Sequence, residues 1–415
     1  MSRAMSQITT WADHHPEVAQ NTGAHMPWPC ERHSTEFGGV HQCSLSMSAD
    51  NELIVAGWVA ADTGAVFHSR DEGRSWQLLA EVPLSGQVPA GYTWLAQSLT
   101  GSGFAADGSI VVFERLAYND GRPYEGFSDE TLHGKLLVWR STNRGGTWEL
   151  TADLDPSPHQ IIGGNEVSAR RLADGRLLLP QNVCSQSRPG KPLSVGEYTG
   201  RDFLYCSEDD GATWFRLSSR GEHSDESCVV EHPSGRLIAS TRYQRKKLPG
   251  DPPEMGTPYF FQKDHDAHSC QECSRGPTAL GGHSVYKQSA VVYSDDGGTS
   301  WTPPRIVTGW LQQTACVIAM SDGTLVLPFS HKLGSHGQRF MVSYDRDESW
   351  SNGIWQLNDS GMYASSAVMP DDTIVTVHDG YRGRGTPRSL SSLRWRLPAR
   401  ADVARHGFFH PRLAG

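Results

Sequence analysis

The chain has 415 residues, including 43 Gly, 24 Pro and 13 Trp, and its 37 Lys+Arg against 46 Asp+Glu give a formal net charge of −9. That balance argues against a long polyanion such as DNA as ligand, and no apolar run is long enough to span a membrane. The N-terminus, Met1-Ser-Arg-Ala-Met-Ser-Gln-Ile-Thr-Thr10, lacks the apolar core of a secretion leader, so a cytoplasmic protein is expected. Length, abundant turn formers and the lack of helical periodicity favour one large repeat domain of short strands.

Residues 1–38 read as an irregular lead-in that packs on the ring or completes a blade, 39–400 as the repeat domain and 401–415 as a C-terminal tail. A turn followed by an apolar strand recurs at Asn51-Glu-Leu-Ile-Val-Ala56, Asp107-Gly-Ser-Ile-Val-Val-Phe113 and Asp174-Gly-Arg-Leu-Leu-Leu179. It returns at Ser234-Gly-Arg-Leu-Ile-Ala239, Asp322-Gly-Thr-Leu-Val-Leu327 and Asp372-Thr-Ile-Val-Thr-Val377. The first five units are each followed by a second repeat, S-x-D-x-G-x-[S/T]-W. Its copies are Ser69–Trp76, Ser141–Trp148, Ser207–Trp214, Ser294–Trp301 and a decayed Ser343–Trp350. Each copy ends a short apolar run, as a strand feeding a tight turn does. The Asp or Asn at the third position can accept hydrogen bonds from backbone N–H groups of the turn, Gly at the fifth takes the positive φ, and Trp folds back as an apolar plug.

Six turn-strand units predict an all-β fold, a six-bladed β-propeller of four-stranded antiparallel blades. The sixth blade has no box and is expected to close with Ser389-Leu-Ser-Ser-Leu-Arg-Trp-Arg-Leu397. Two intervals, Ala117 to His133 and Arg245 to Gly282, are long for plain loops and are expected on the face opposite the boxes, shaping a pocket. The basic run Arg245-Lys-Lys247 reads as solvated loop.

The eight cysteines are scattered, and Cys184, Cys206, Cys228 and Cys316 read as small buried hydrophobes. The exception is His265-Asp-Ala-His268-Ser-Cys270-Gln-Glu-Cys273. Two His and two Cys at this spacing suit a structural zinc, the alternative being a solvated insertion with an incidental C-x-x-C. No cofactor is otherwise required.

In a propeller the start of each innermost strand points into the central funnel. Those positions, with the strand ends facing them, supply His41, Glu226, Arg242, Arg339 and Tyr363.

The repeated S-x-D-x-G-x-[S/T]-W frame resembles the Asp boxes of the sialidase (neuraminidase) superfamily, where the boxes lie at the turn between outer strands, away from the active site. The resemblance runs over roughly residues 40–397. It implies Glu226 before the fourth blade's strand pair and Arg242 at its end. It further implies Arg339 ahead of the fifth box and Tyr363 ahead of the sixth blade. Tyr363 would then be the nucleophile, Glu226 its base, and Arg242 and Arg339 the clamp for a sugar carboxylate. The family's first Arg is replaced here by His41 or Gln42. Its general acid falls to Asp62, with Asp120 and Asp129 in the next blade as fallbacks.

These residues leave three readings open. One is a glycoside hydrolase acting on a terminal acidic sugar. A second is a lyase eliminating next to a uronate, with Tyr363 and His41, His331 or His336 as proton carriers beside Arg242 and Arg339. The third is a glycan-binding propeller without chemistry, in which Glu226–Arg242 is an internal ion pair and Tyr363 a core aromatic. All three expect an acidic glycan as partner; oligomeric state is not legible.

Overall fold

The computed structural model describes residues 25–35, 44–60, 63–121, 132–163, 168–185, 199–245, 286–309, 312–331, 337–361, 363–379 and 390–413. Six antiparallel sheets follow one another around a ring. In the first four blades the strands pair in chain order. Blade one, for instance, runs Leu45–Met47, Leu53–Ala60, Thr63–Ser69 and Gln77–Pro83, each strand paired with the next. In blades three and five the innermost strand is broken into two short pieces, Ile161–Ile162 with Arg170–Arg171 and Gln312–Gln313 with Ile318–Ala319.

The turn-strand units are the hairpins between first and second strands. Their second strands are apolar because they are covered on both faces: Ile110–Asn119 and Leu325–His331 each lie in a nearly unbroken buried run. Consecutive blades pack through separate apolar clusters. Phe113, Val138 and Leu179 join blades two and three, while Val291, Leu327 and Met341 join four and five. The ring closes through Leu53, Val55 and Trp76 of blade one against Met369, Val375 and Val377 of blade six.

All five boxes adopt one geometry. The third-position side chain accepts the backbone N–H of the seventh residue, at 2.9 Å for Asp71, 2.8 Å for Asn143 and Asp209, 2.9 Å for Asp296 and 2.8 Å for Asp345. The first-position Ser hydroxyl accepts the fifth residue's N–H, at 2.8 Å for Gly73 and 3.1 Å even where Asp347 replaces Gly. Asp347 pays for its φ of 74° by an ion pair with Arg305, so the decayed copy keeps its shape without glycine.

Blade six is completed by a strand from the N-terminal lead-in. Leu390–Trp395 is its third strand, and the fourth is Glu31–Thr35 from the N-terminal side, antiparallel to it with Glu31 opposite Arg394. A second N-terminal piece, Met26–Pro27, runs parallel to Trp355–Gln356 of blade five. After the short helix Arg400–Ala404, Phe408–Phe409 pairs with Trp350–Ser351 and Arg412–Leu413 with Arg305–Ile306.

Because the strands alternate in direction, the starts of the first strands, the ends of the second and the starts of the third share one face. The boxes, at the ends of the third strands, lie on the other. Both long intervals join a second strand to a third, so their described ends lie on the face where Glu226 begins blade four.

Candidate active site at the mouth of the funnel

Glu226 owes its position to a β-bulge. Ser224 pairs with Tyr243 and Ser227 with Thr241, so Asp225 and Glu226 together face the single residue Arg242. An extra residue re-aims side chains that would otherwise alternate, and here it turns both carboxylates onto one guanidinium. Arg242 Nη1 meets Glu226 Oε1 at 2.6 Å, and Nη2 pairs with Asp225. The three side chains are 12%, 6% and 3% exposed respectively. Burial alone would make Arg242 a weaker base, but the charges of Asp225 and Glu226, with the Tyr363 phenol, hold it well above its ordinary range.

That last contribution is electrostatic and puts Tyr363 within charge-interaction range of Arg242. The tyrosine stands just before the innermost strand of blade six, Ala364–Val368, and is half-buried. Blade five adds Thr314, whose hydroxyl donates to Glu226 Oε2 at 2.5 Å. Thr314 has φ 56°, an unfavourable conformation for a β-branched residue. Strain of this kind persists only where the surroundings impose it, and such sites are often functional.

A further layer holds the bulge. Asn182 Nδ2 donates to Asp225 Oδ1 at 2.8 Å, and the next residue, Ser227, is bound by both Asp202 and Arg220. Burial pushes the Asp202 carboxyl up to about 6 in spite of the Arg220 charge, and burial likewise depresses Arg220. The pair costs free energy to bury, which suits a role in positioning.

Sequence reasoning brought Glu226, Arg242 and Tyr363 together but missed Asp225, Thr314 and Asn182. Asp225 had a legible signal, an acidic pair Asp225-Glu226 at a strand start; Thr314 and Asn182 had none.

Arg339 and His331 are both seated in the interior of blade five. Arg339 lies on the third strand of blade five, opposite Phe329 and Gln356, and is 0% exposed. Its Nε donates to His25 Nδ1 at 2.9 Å and its Nη1 to the Asn358 carbonyl at 2.8 Å. Burial lowers its pKa to about 9, against a small opposing pull from Asp359. His331 is also 0% exposed, edge-on to His25 at 4.6 Å, with the Gln312 amide 3.4 Å from its Nδ1. Strand position in sequence located Arg339, whereas His331, expected in the loop after the strand, is that strand's last residue, and the N-terminal His25 that engages both had no signal.

Asp120 is half-buried just after blade two's second strand, Ile110–Asn119. His41, Gln42, Asp62, Asp129 and His336 lie outside the described residues, as do His265, His268, Cys270 and Cys273 of the zinc expectation. No cluster of three or more metal-ligating side chains occurs among the described residues.

With this geometry in view, the chain compares with known proteins as follows. The BNR/Asp-box repeat model matches residues 292–303, the fourth box. No curated protein sequence matches the chain. Among solved structures, a protein of unknown function from Dyadobacter fermentans superposes with TM-score 0.58 at 14% identity, over 90% of this chain and 97% of that one. A Hadza microbial sialidase gives 0.54 at 16% identity over 86% of this chain, which spans 65% of the sialidase. The intramolecular trans-sialidase of Ruminococcus gnavus gives 0.52 at 12% identity, over 86% of this chain and 94% of that one. The protein is thus a six-bladed Asp-box β-propeller, and both its repeat and its fold support the resemblance to the sialidase superfamily.

Proposed function

We propose that this propeller is a glycoside hydrolase of the sialidase type, acting on a glycan with a terminal acidic sugar. The observation that carries the reading is the buried Glu226–Arg242 ion pair of blade four, with Tyr363 of blade six near enough to act on Arg242 electrostatically. A phenol of pKa about 10 needs a base to become a nucleophile. Glu226 can serve because Arg242, at 2.6 Å, stabilises its charged form. As the Tyr363 oxygen bonds to the anomeric carbon, its proton passes to Glu226 and the glycosidic bond breaks. Asp62 is the proposed donor of a proton to the departing oxygen. Water then attacks the same carbon and gives a proton to Asp62, while Glu226 returns its proton to the departing Tyr363 oxygen, leaving the configuration retained.

The described site sets one guanidinium against two carboxylates, a local charge of −1 if Asp225 and Glu226 are ionised. A substrate carboxylate therefore needs a second cation, and protonated His41, at the family's first Arg position, is proposed to supply it. Binding of an acidic sugar should then strengthen as pH falls through the ordinary imidazole range near 6.5. The elimination reading loses its described histidine, since the His331 ring has no exposed surface through which to reach a sugar.

The test is hydrolysis of fluorogenic glycosides of a terminal sialic acid and of neutral sugars, with uronate-containing oligosaccharides incubated in parallel. Tyr363→Phe should lower turnover at least about 1,000-fold while leaving the melting temperature nearly unchanged. Full activity in that variant would remove the hydrolase mechanism. Growth of near-ultraviolet absorbance from an unsaturated uronate would replace it with the lyase.

A further inference from the structure

Below the mouth of the funnel, the innermost strands bring two thiols together. Cys228 lies two residues beyond Glu226 on the innermost strand of blade four, and Cys316 two beyond Thr314 between the two pieces of blade five's innermost strand, so the Cys228–Cys316 contact repeats the Glu226–Thr314 contact one step deeper. Their sulfurs are 3.0 Å apart, both are free, and they are 7% and 6% exposed. Arg170, from the innermost strand of blade three, reaches both, its Nη2 lying 3.6 Å from Cys316 Sγ and 3.9 Å from Cys228 Sγ. The same guanidinium reaches the Leu45 carbonyl of blade one and the Ser366 carbonyl of blade six, each at 3.4 Å. Five blades therefore meet at this point on the axis.

Neighbouring structure leaves these thiols chemically unequal. The hydrogen bond from Cys228, helped by the Arg170 charge, holds Cys316 below the ordinary thiol range despite burial. The same hydrogen bond and burial push Cys228 up. A thiolate beside a thiol and a guanidinium is the arrangement that oxidation chemistry selects, and a buried thiol of this kind differs from an inert one in having a resolving partner in contact.

We infer that Cys228 and Cys316 are a redox-modification site that closes into a disulfide between blades four and five when the protein meets a small peroxide. The Cys316 thiolate attacks one peroxide oxygen, the O–O bond breaks, and sulfenic acid forms with release of hydroxide. The Cys228 sulfur then bonds to the Cys316 sulfur and displaces that oxygen. Overall two thiols and one hydrogen peroxide give one disulfide and two waters, so peroxide takes up the two electrons. A peroxide is small enough for a site this enclosed, whereas a bulky disulfide oxidant is not. The bond ties together strands 88 positions apart in the chain and fixes the spacing of Glu226 and Thr314 directly above it.

Peptide mapping tests this without reference to any enzymatic activity. Purified, fully reduced protein is treated with hydrogen peroxide, alkylated under denaturing conditions and digested. A peptide containing Cys228 joined to one containing Cys316 is expected, with an intact mass lower by about 2 Da that returns on reduction. The apparent melting temperature should rise by roughly 5 °C on oxidation, and neither the link nor the rise should occur in Cys228→Ser. Recovery of Cys228 and Cys316 both alkylated, separately over-oxidised, or joined to other cysteines such as Cys270 or Cys273 would overturn the inference.

Discussion

Arg242 binds two carboxylates, and each needs it. If Arg242→Gln is made, Asp225 and Glu226 remain side by side in a largely desolvated bulge with no cation between them. The expected loss is about 3–5 kcal/mol of stability, read by chemical denaturation, and Asp225→Asn in the same chain should recover part of it. Full stability in the single variant would show that the pair is solvated in solution. Glu52 illustrates the opposite balance. Burial would raise its pKa, but hydrogen bonds from Arg144 at 2.8 Å, His68 at 2.6 Å and Arg70 at 3.2 Å hold it down at about 2. A carboxylate whose folded pKa lies below its unfolded value of 4.5 stabilises the fold above that pH, and the contribution drains away as pH falls towards 2. Acid denaturation should therefore be less steep between about pH 4.5 and 2 in Glu52→Gln than in the wild type. Equal slopes would mean that the Arg144 and Arg70 contacts do not hold in solution.

At the scale of elements, the Asp box stabilises a turn almost entirely by local hydrogen bonds. Asp209 accepts from Thr213 N–H at 2.8 Å, Thr213 Oγ1 at 2.6 Å and Ser207 Oγ at 2.9 Å. Asp209→Ala should cost about 2 kcal/mol with no effect on catalysis, because the boxes and the candidate site lie on opposite faces. A change in turnover at unchanged substrate affinity would contradict that separation. This element was legible because the hydrogen bonds of the Asp or Asn and Ser side chains that shape the turn run between residues at most four apart, so the motif and its geometry are the same local fact. The bulge at Asp225–Glu226 was not legible. Its cause is the pairing register with Ser240–Tyr243, and register depends on the partner strand.

For the whole molecule, closure is the decisive event. The ring is shut partly by Trp76, whose indole donates to Ser392 at 2.8 Å, and partly by Glu31–Thr35 covering the edge of Leu390–Trp395. Arg394 binds Glu31 on that strand and Glu72 in the first box, so one side chain ties both ends of the ring. A chain starting at residue 36 would expose an edge strand, and such edges recruit other chains. It should melt at lower temperature and elute partly as dimers or larger species on size exclusion. A monomer of unchanged stability would show that the apolar interface of blades one and six suffices.

Six blades and five boxes were determined by the sequence alone, since repeats and turn chemistry are written in contiguous residues. The tertiary structure decided what comes from far along the chain. His25 engages Arg339 across 314 positions, Thr314 reaches Glu226 across 88, and Glu31–Thr35 supplies the last blade's outer strand. The physical reason is common to all three. A local pattern specifies the conformation of its own segment, whereas the partner of a buried polar group or an open sheet edge is set only when the ring closes and brings distant segments into contact.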